Sequence, residues 1–213
     1  MTARRRPIGG SAVPDRAAGA AARRGRVLLL GGMPRMLASL LAAACAVVVV
    51  ALAAPAGADA APSTLVPAAG ACRGERATSG TATQVRAMRC LVNSVRRSAG
   101  RPALRRHATL ARAARFKAGR IAACGQFTHE PCGAPFSAAF RAAGWRRATM
   151  GENLAYGTAW KGSPRAVMVA WLRSPGHRAN LLRRSFRLHG LAVRTVALPG
   201  VGHVRLWVHA LGR

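Results

Sequence analysis

Acidic side chains are nearly absent from this 213-residue chain. Five Asp and Glu stand against 34 Lys and Arg, for a formal net charge of +29 at pH 7. From Ala61 onward the carboxylates are Glu75, Glu130 and Glu152, against 26 basic residues. Such a surface attracts polyanions: wall phosphates, anionic lipid or nucleic acid. Almost all the bases are Arg, beside abundant Ala, Gly, Val and Pro, a pattern that a GC-rich genome also produces by drift. Aromatics are scarce too, at 5% with one Tyr. That speaks against nucleic-acid binding, which wants aromatic residues interleaved with the charge for base stacking. No C-x-x-C spacing occurs, so a clustered thiolate metal site is excluded. No internal repeat is visible.

What is present begins with a leader. Arg-rich patches at Arg4–Arg6, Arg23, Arg24, Arg26 and Arg35 precede an apolar run from Leu37 to Ala54, and Ala58-Asp59-Ala60 offers a small-residue exit. That order reads as a cleavable secretory signal over residues 1–60 with an extended basic region. A start at Met33 or Met36 makes it a leader of normal length. Left uncleaved, the apolar run has borderline length for a membrane anchor. Cys45 lies inside the run, which places a lipoprotein reading below the others. Four cysteines remain beyond it: Cys72, Cys90, Cys124 and Cys132. An even count in an exported chain predicts two disulfides. Three connectivities are open, and the sequence-local pairing, Cys72–Cys90 with Cys124–Cys132, is preferred.

Residues 61–82 are rich in Pro, Ala and Gly and read as a linker, followed by one domain over 83–213. Val85, Met88, Leu91, Val92 and Val95 share a helical face that Thr83 can cap. A second helix is expected over Ala108–Cys124, burying Leu110, Ala114, Ile121 and either Phe116 or the Lys117 stem. A short helix over Pro135–Ala143 and a short strand over Met150–Tyr156 come next. Ser163-Pro164 and Ser174-Pro175 each open a helix, with Ser as cap and Pro at the first helical position. Alternation at Leu191, Val193 and Thr195, and at Val204, Leu206 and Val208, around Leu198-Pro199-Gly200, predicts a β-hairpin. Helices flanking a small antiparallel sheet make the fold class α+β.

Three segments carry the chemistry: Phe127-Thr128-His129, Gly151-Glu152-Asn153, and Ser174-Pro175-Gly176-His177-Arg178. His177 falls in the first turn of a helix, where unpaired N–H groups and the dipole disfavour a positive imidazole. A neutral imidazole has a lone pair for a metal or a proton. A carboxylate between two imidazoles can fix their tautomers or hold a water. Taken singly, each His also fits a satisfied structural residue, and Glu152 also fits a carboxylate pinning its loop through backbone N–H groups.

Together these segments resemble the CAP superfamily of cysteine-rich secretory proteins, antigen 5 and pathogenesis-related proteins, in its bacterial SCP-like form. The similarity runs from about Cys90 to Gly212. It also includes Leu91-Val92-Asn93-x-x-Arg96, Phe186 to Val193, and Leu206-Trp207-Val208. It implies an α-β-α sandwich with a small central antiparallel sheet and a cleft lined by His129, Glu152 and His177. Two departures stand out. Eukaryotic relatives add a Glu three residues after the Trp matching Trp171, where this chain has Ser174. Bacterial members often carry Gln where it has His209. The additional cleft partners to consider are therefore Glu130, Ser174 and His209. With His129 and His177 as ligands and Glu152 acting indirectly, the expectation is weak, exchangeable zinc. Structural zinc sites use four protein ligands and catalytic ones usually three.

The favoured function is a secreted module binding anionic cell-wall polymer or lipid, and the resemblance implies no general enzymatic activity. The alternative is a metal-assisted extracellular hydrolase using the same cleft. Against a Ser174 nucleophile, the Ser-Pro pair is explained by capping, and no third group is placed to orient a Ser–His pair.

Overall fold

The computed structural model describes residues 62–213. The leader and its cleavage site lie outside these residues. Among the described residues no helix is long and apolar enough to cross a membrane.

The chain opens with a single helical turn, α1 (Pro62–Leu65), and a loop leading to α2 (Thr81–Ser98). This opening stretch is a correction to the linker reading of 61–82. Leu65 and Cys72 are buried in the core, and Glu75 is buried beneath them. The cause is tertiary. A disulfide joins Cys72 to Cys90 on α2, and Glu75 meets the Arg165 guanidinium at 3.1 Å. Small, turn-forming residues there follow the surface of the domain instead of spanning a gap. The helix begins two residues before Thr83, at a Gly80 cap in the left-handed region, and no side chain caps it.

α2 buries Met88, Leu91, Val92 and Val95, as its period predicts. The same face carries two polar residues that anchor the loops around it. Asn93 exchanges two hydrogen bonds with the Leu104 backbone: its amide donates to the carbonyl at 3.1 Å and its Oδ1 accepts from the N–H at 2.8 Å. Arg96, fully buried, donates to the carbonyls of Pro102, Leu181, Arg183 and Phe186. The Asn93-x-x-Arg96 motif is therefore a backbone clamp.

A two-residue strand β1 (Arg105–Arg106) precedes α3 (Ala108–Cys124). Of the two residues open for burial on α3, Lys117 is inside and Phe116 is 45% exposed. A 3₁₀ turn (Pro131–Gly133) and a short α4 (Ala138–Ala142) lead to β2 (Met150–Gly157). Another 3₁₀ turn (Ala159–Gly162), α5 (Pro164–Arg173), α6 (Pro175–Leu182) and the hairpin β3 (Leu188–Leu198) and β4 (Gly202–Gly212) complete the fold. Ser163 caps α5 as expected, its hydroxyl accepting from the Ala166 N–H.

The four strands lie in the order β1-β3-β4-β2. β3 and β4 pair antiparallel from Leu188↔Gly212 to Leu198↔Gly202, β2 pairs antiparallel with β4, and β1 adds a short parallel pairing to β3. Strand period two sorts side chains onto two apolar layers. Leu191, Val193, Trp207 and Leu211 pack with α2, α5 and α6. Ala192, Val196, Leu206, Val208 and Ala210 pack with α3 and α4. This is the α-β-α sandwich. It closes tightly at Gly190, where a Cβ would lie 2.0–2.4 Å from Leu110 and Ala111 backbone atoms, so α3 can rest directly on β3.

Candidate functional site

β2 delivers its two central polar residues to opposite faces. Glu152 sits opposite Ala210 and Asn153 opposite His209 in the pairing with β4. Even-numbered positions face α3, so Glu152 meets Lys117. Its Oε1 lies 3.5 Å from the Lys117 Nζ, with both side chains almost completely buried. The same oxygen lies 2.8 Å from His129 Nδ1. An ionised carboxylate only accepts, so His129 donates from Nδ1 and its lone pair is left on Nε2. The His129 side chain is 48% exposed, which leaves the imidazole reachable from solvent.

The loop bearing His129 is held at several points. Gly125, in the left-handed region, ends α3, and the Cys124–Cys132 disulfide closes the loop. Inside it, Gln126 Oε1 accepts from the Cys132 N–H at 2.7 Å. Lys117 donates to the His129 carbonyl. Lys117 thus holds both the main chain of His129 and the carboxylate that orients its ring. By sequence alone Lys117 is one of two candidates for burial, with Phe116, and has no assigned role in the cleft. A lysine at a core position of an otherwise apolar helical face, in a chain with three carboxylates beyond the leader, was the signal for a buried ion pair.

Asn153, on the other face, ties β2 to α6. Its amide donates to the His177 carbonyl at 3.0 Å. Asn180 donates to the Glu152 carbonyl at 3.1 Å and to Asn153 Oδ1 at 3.0 Å. These bonds seat the first turn of α6 against Glu152. Gly151 has no side chain because the Phe186 ring fills the space, 2.5 Å from where a Cβ would be. His177 is half-buried, and its pKa is lowered first by that burial and then by its electrostatic interaction with the His129 ring. The two imidazoles therefore share one electrostatic environment, and His177 is held neutral near pH 7.

The additional candidates are Glu130, Ser174 and His209. Glu130 is exposed and accepts from the Phe136 N–H at 3.3 Å. Ser174 occupies the N-cap position of α6, but its hydroxyl makes no capping hydrogen bond, contrary to expectation. No hydrogen bond joins it to an imidazole among the described residues. His209 is fully buried on the α2 face of the sheet, stacked on Trp171 at 5.7 Å and bonded to His189 (Nδ1 to His209 Nε2) at 3.1 Å. Strand alternation sends it to the opposite side from Glu152. Burial, with positive neighbours, lowers the His189 pKa to about 4 and that of His209 well below the usual imidazole range.

As a metal-binding set the cluster is sparse. No group of three or more His, Cys, Asp or Glu is arranged to hold an ion among the described residues. Glu152 is already engaged by Lys117 and His129. The ring nitrogens not engaged by Glu152 are His129 Nε2 and those of His177, fewer donors than the four protein ligands of a structural zinc.

Both expected disulfides are present, Cys72–Cys90 and Cys124–Cys132. Three solved structures share the fold. An extracellular protein containing an SCP domain from Bacillus anthracis str. Ames is 21% identical, with a TM-score of 0.51 over 62% of this chain and 41% of its own. An outer surface protein from Borrelia burgdorferi is 19% identical, with a TM-score of 0.50 over 59% of this chain and 89% of its own. A cysteine-rich secretory protein from Staphylococcus aureus subsp. aureus Mu50 is 16% identical, with a TM-score of 0.51 over 64% of this chain and 40% of its own. The chain thus spans about two fifths of the Bacillus and Staphylococcus proteins. No curated protein matches significantly. The model of the cysteine-rich secretory protein family matches residues 90–197, a range that contains the Asn93–Arg96 clamp, the His129 loop, the Glu152 strand and the His177 helix. On that match and on the shared fold, the chain belongs to the CAP family.

Proposed function

We propose that the protein is exported and acts as an extracellular binding module for anionic cell-wall polymer or anionic lipid. The observation that carries this reading is where the carboxylates go. Glu75 is buried against Arg165, Glu152 is buried against Lys117 and His129, and Glu130 accepts a backbone N–H. Two of the three negative side chains beyond the leader are thus withdrawn from the surface, while most Arg side chains stay on it. The result is a field of one sign, which steers polyanions.

Within that module the His129–His177 cleft holds a divalent ion weakly. Glu152 fixes the His129 tautomer from behind, as carboxylates commonly do for metal-binding imidazoles. Protons compete for the His177 lone pair, and burial holds that pKa below the usual imidazole range, so affinity falls only in acid.

Two measurements test the reading on the mature domain. Retention on anionic polymer or anionic vesicles should fall steeply with salt, because exposed charges are screened over about 10 Å at 0.1 M. Salt-independent retention, or equal binding to neutral vesicles, refutes a polyanion partner. Calorimetric zinc titration should show weak binding that His177→Ala abolishes and Glu152→Gln weakens by roughly 10–100-fold. If wild type gives neither heat nor a zinc-dependent melting shift, the cleft is scaffolding.

A further inference from the structure

The chain has four Trp and one Tyr. Trp145, Trp171 and Trp207 are buried. Trp160 is 68% exposed, and Tyr156, at the end of edge strand β2, is 40% exposed. Both line a groove of about 700 Å³ whose other wall is the outer face of α5. Arg76, Lys161, Arg165 and Arg173 also line it. None of its residues belongs to the His129–Glu152–His177 cluster.

Trp160 stands on a rigid support. It sits in the Ala159–Gly162 turn, where Ala159 takes φ 44°, a left-handed conformation unfavourable for a residue with a Cβ. Such strain persists only where the surroundings enforce it, and it gathers at functional sites. Here the turn is pressed onto the end of β2: a Cβ on Gly157 would lie 2.5 Å from the Lys161 carbonyl, and one on Gly162 2.6 Å from the Gly157 oxygen. The buried Trp207 indole fastens it by donating to the Gly162 carbonyl at 2.8 Å. The fold thus fixes the backbone from which a large apolar ring stands out into water.

The charges beside it are of two kinds. Arg165 is committed to Glu75 and to the Pro67 carbonyl, at 3.1 and 2.9 Å. Arg76, Lys161 and Arg173 are exposed and have no carboxylate partner among the described residues. Flat rings offer stacking to the C–H faces of sugars, and unpaired cations offer ion pairs to acidic substituents.

We propose that this groove is a subsite for an anionic polysaccharide, with sugar rings on Trp160 and Tyr156 and carboxylate or phosphate substituents on Arg76, Lys161 and Arg173. The proposal rests on the polyanion-binding reading above and gives that partner a location and a chemistry.

The test titrates the mature domain with hexagalacturonate, maltohexaose, inorganic polyphosphate and phosphatidylglycerol vesicles. The proteins are wild type, Trp160→Ala, the triple variant Arg76→Ser/Lys161→Ser/Arg173→Ser, and a control that removes three exposed charges elsewhere, Arg105→Ser/Arg115→Ser/Arg146→Ser. Melting curves confirm that each is folded. Hexagalacturonate should bind wild type and lose about tenfold or more in affinity, some 1.4 kcal/mol, in Trp160→Ala and in the groove triple. The control should stay near wild type, and maltohexaose should bind far more weakly. If both groove variants bind hexagalacturonate like wild type, the groove is wrong while the polyanion reading stands. If wild type binds none of the anionic probes, both fail. Should Trp160→Ala lose vesicle binding and keep hexagalacturonate, the surface belongs to lipid and the proposal is overturned. Polyphosphate bound as tightly as hexagalacturonate, and indifferent to Trp160, reduces it to a charge patch and also overturns it.

Discussion

On the α3 side of the sheet, Glu152, Lys117 and His129 form a polar cluster that opens to solvent through a half-exposed imidazole. On the α2 side, His189 and His209 are bonded to each other and sealed between the strands and Trp171, with the Arg96 clamp on the helix above. The residue types overlap, and Glu152 on β2 and His209 on β4 hold neighbouring register positions. What separates a reachable imidazole from an entombed one is which side of the pleat it leaves and whether a loop or a helix covers it. Charge is managed differently too. Lys117 has a carboxylate, whereas the Arg96 charge is met by the four backbone carbonyls it donates to. Burial and neighbouring Arg charges lower the pKa of Arg96 to about 10, which still leaves it charged at neutral pH.

The sharpest break in this comparison is on the sealed side. Arg96→Ala removes one guanidinium and strands the carbonyls of Pro102, Leu181, Arg183 and Phe186, of which two make fully buried bonds. Orphaned buried acceptors and a large cavity together should cost about 5 kcal/mol, read as a fall in the urea midpoint. A loss below about 1 kcal/mol shows that the clamp is dispensable.

The open side should fail less severely and in a different way. Glu152→Gln leaves the buried Lys117 cation without its counter-charge and costs about 3 kcal/mol. Lys117→Met on that background should recover much of the loss, because the pair is then removed as a unit. In both variants the charged acceptor of His129 becomes a neutral amide, so nitrogen NMR should show a weaker preference for the proton on Nδ1. Additive losses in the double variant contradict a direct Lys117–Glu152 coupling.

Acid probes the sealed pair itself. The His189 pKa is about 4 in the folded state and near 6.5 when unfolded, so the unfolded chain binds more protons between those values. Stability is then intact above pH 6.5 and declines as pH falls toward 4, by on the order of 2.5 kcal/mol at pH 4.5 for His189 alone. His209 shifts in the same direction. His209→Gln removes one titrating ring and should flatten the melting temperature between pH 6.5 and 4.5. An unchanged slope places the acid sensitivity elsewhere.

Amphipathic period, Ser-Pro starts, the alternation of the hairpin and an even cysteine count are local or short-range signals. They were enough for the helix faces of α2 and α3, the opening of α5, the β3–β4 pairing and both disulfides. The motif segments also named His129, Glu152 and His177, because polar residues beside Gly, Asn and Pro in an apolar context are visible without coordinates. Only the tertiary structure decided the partners. Lys117 reaches Glu152 because α3 lies directly on β3 at Gly190, 73 residues further along the chain. His209 is lost from the cleft because strand parity, counted in the paired register with Asn153, turns it to the other face. The 62–80 segment is folded down by a disulfide and an ion pair whose far ends lie on α2 and α5. Composition and period act over a few residues and are written along the chain. Burial, pairing and the pKa of an imidazole depend on what long-range packing places around it.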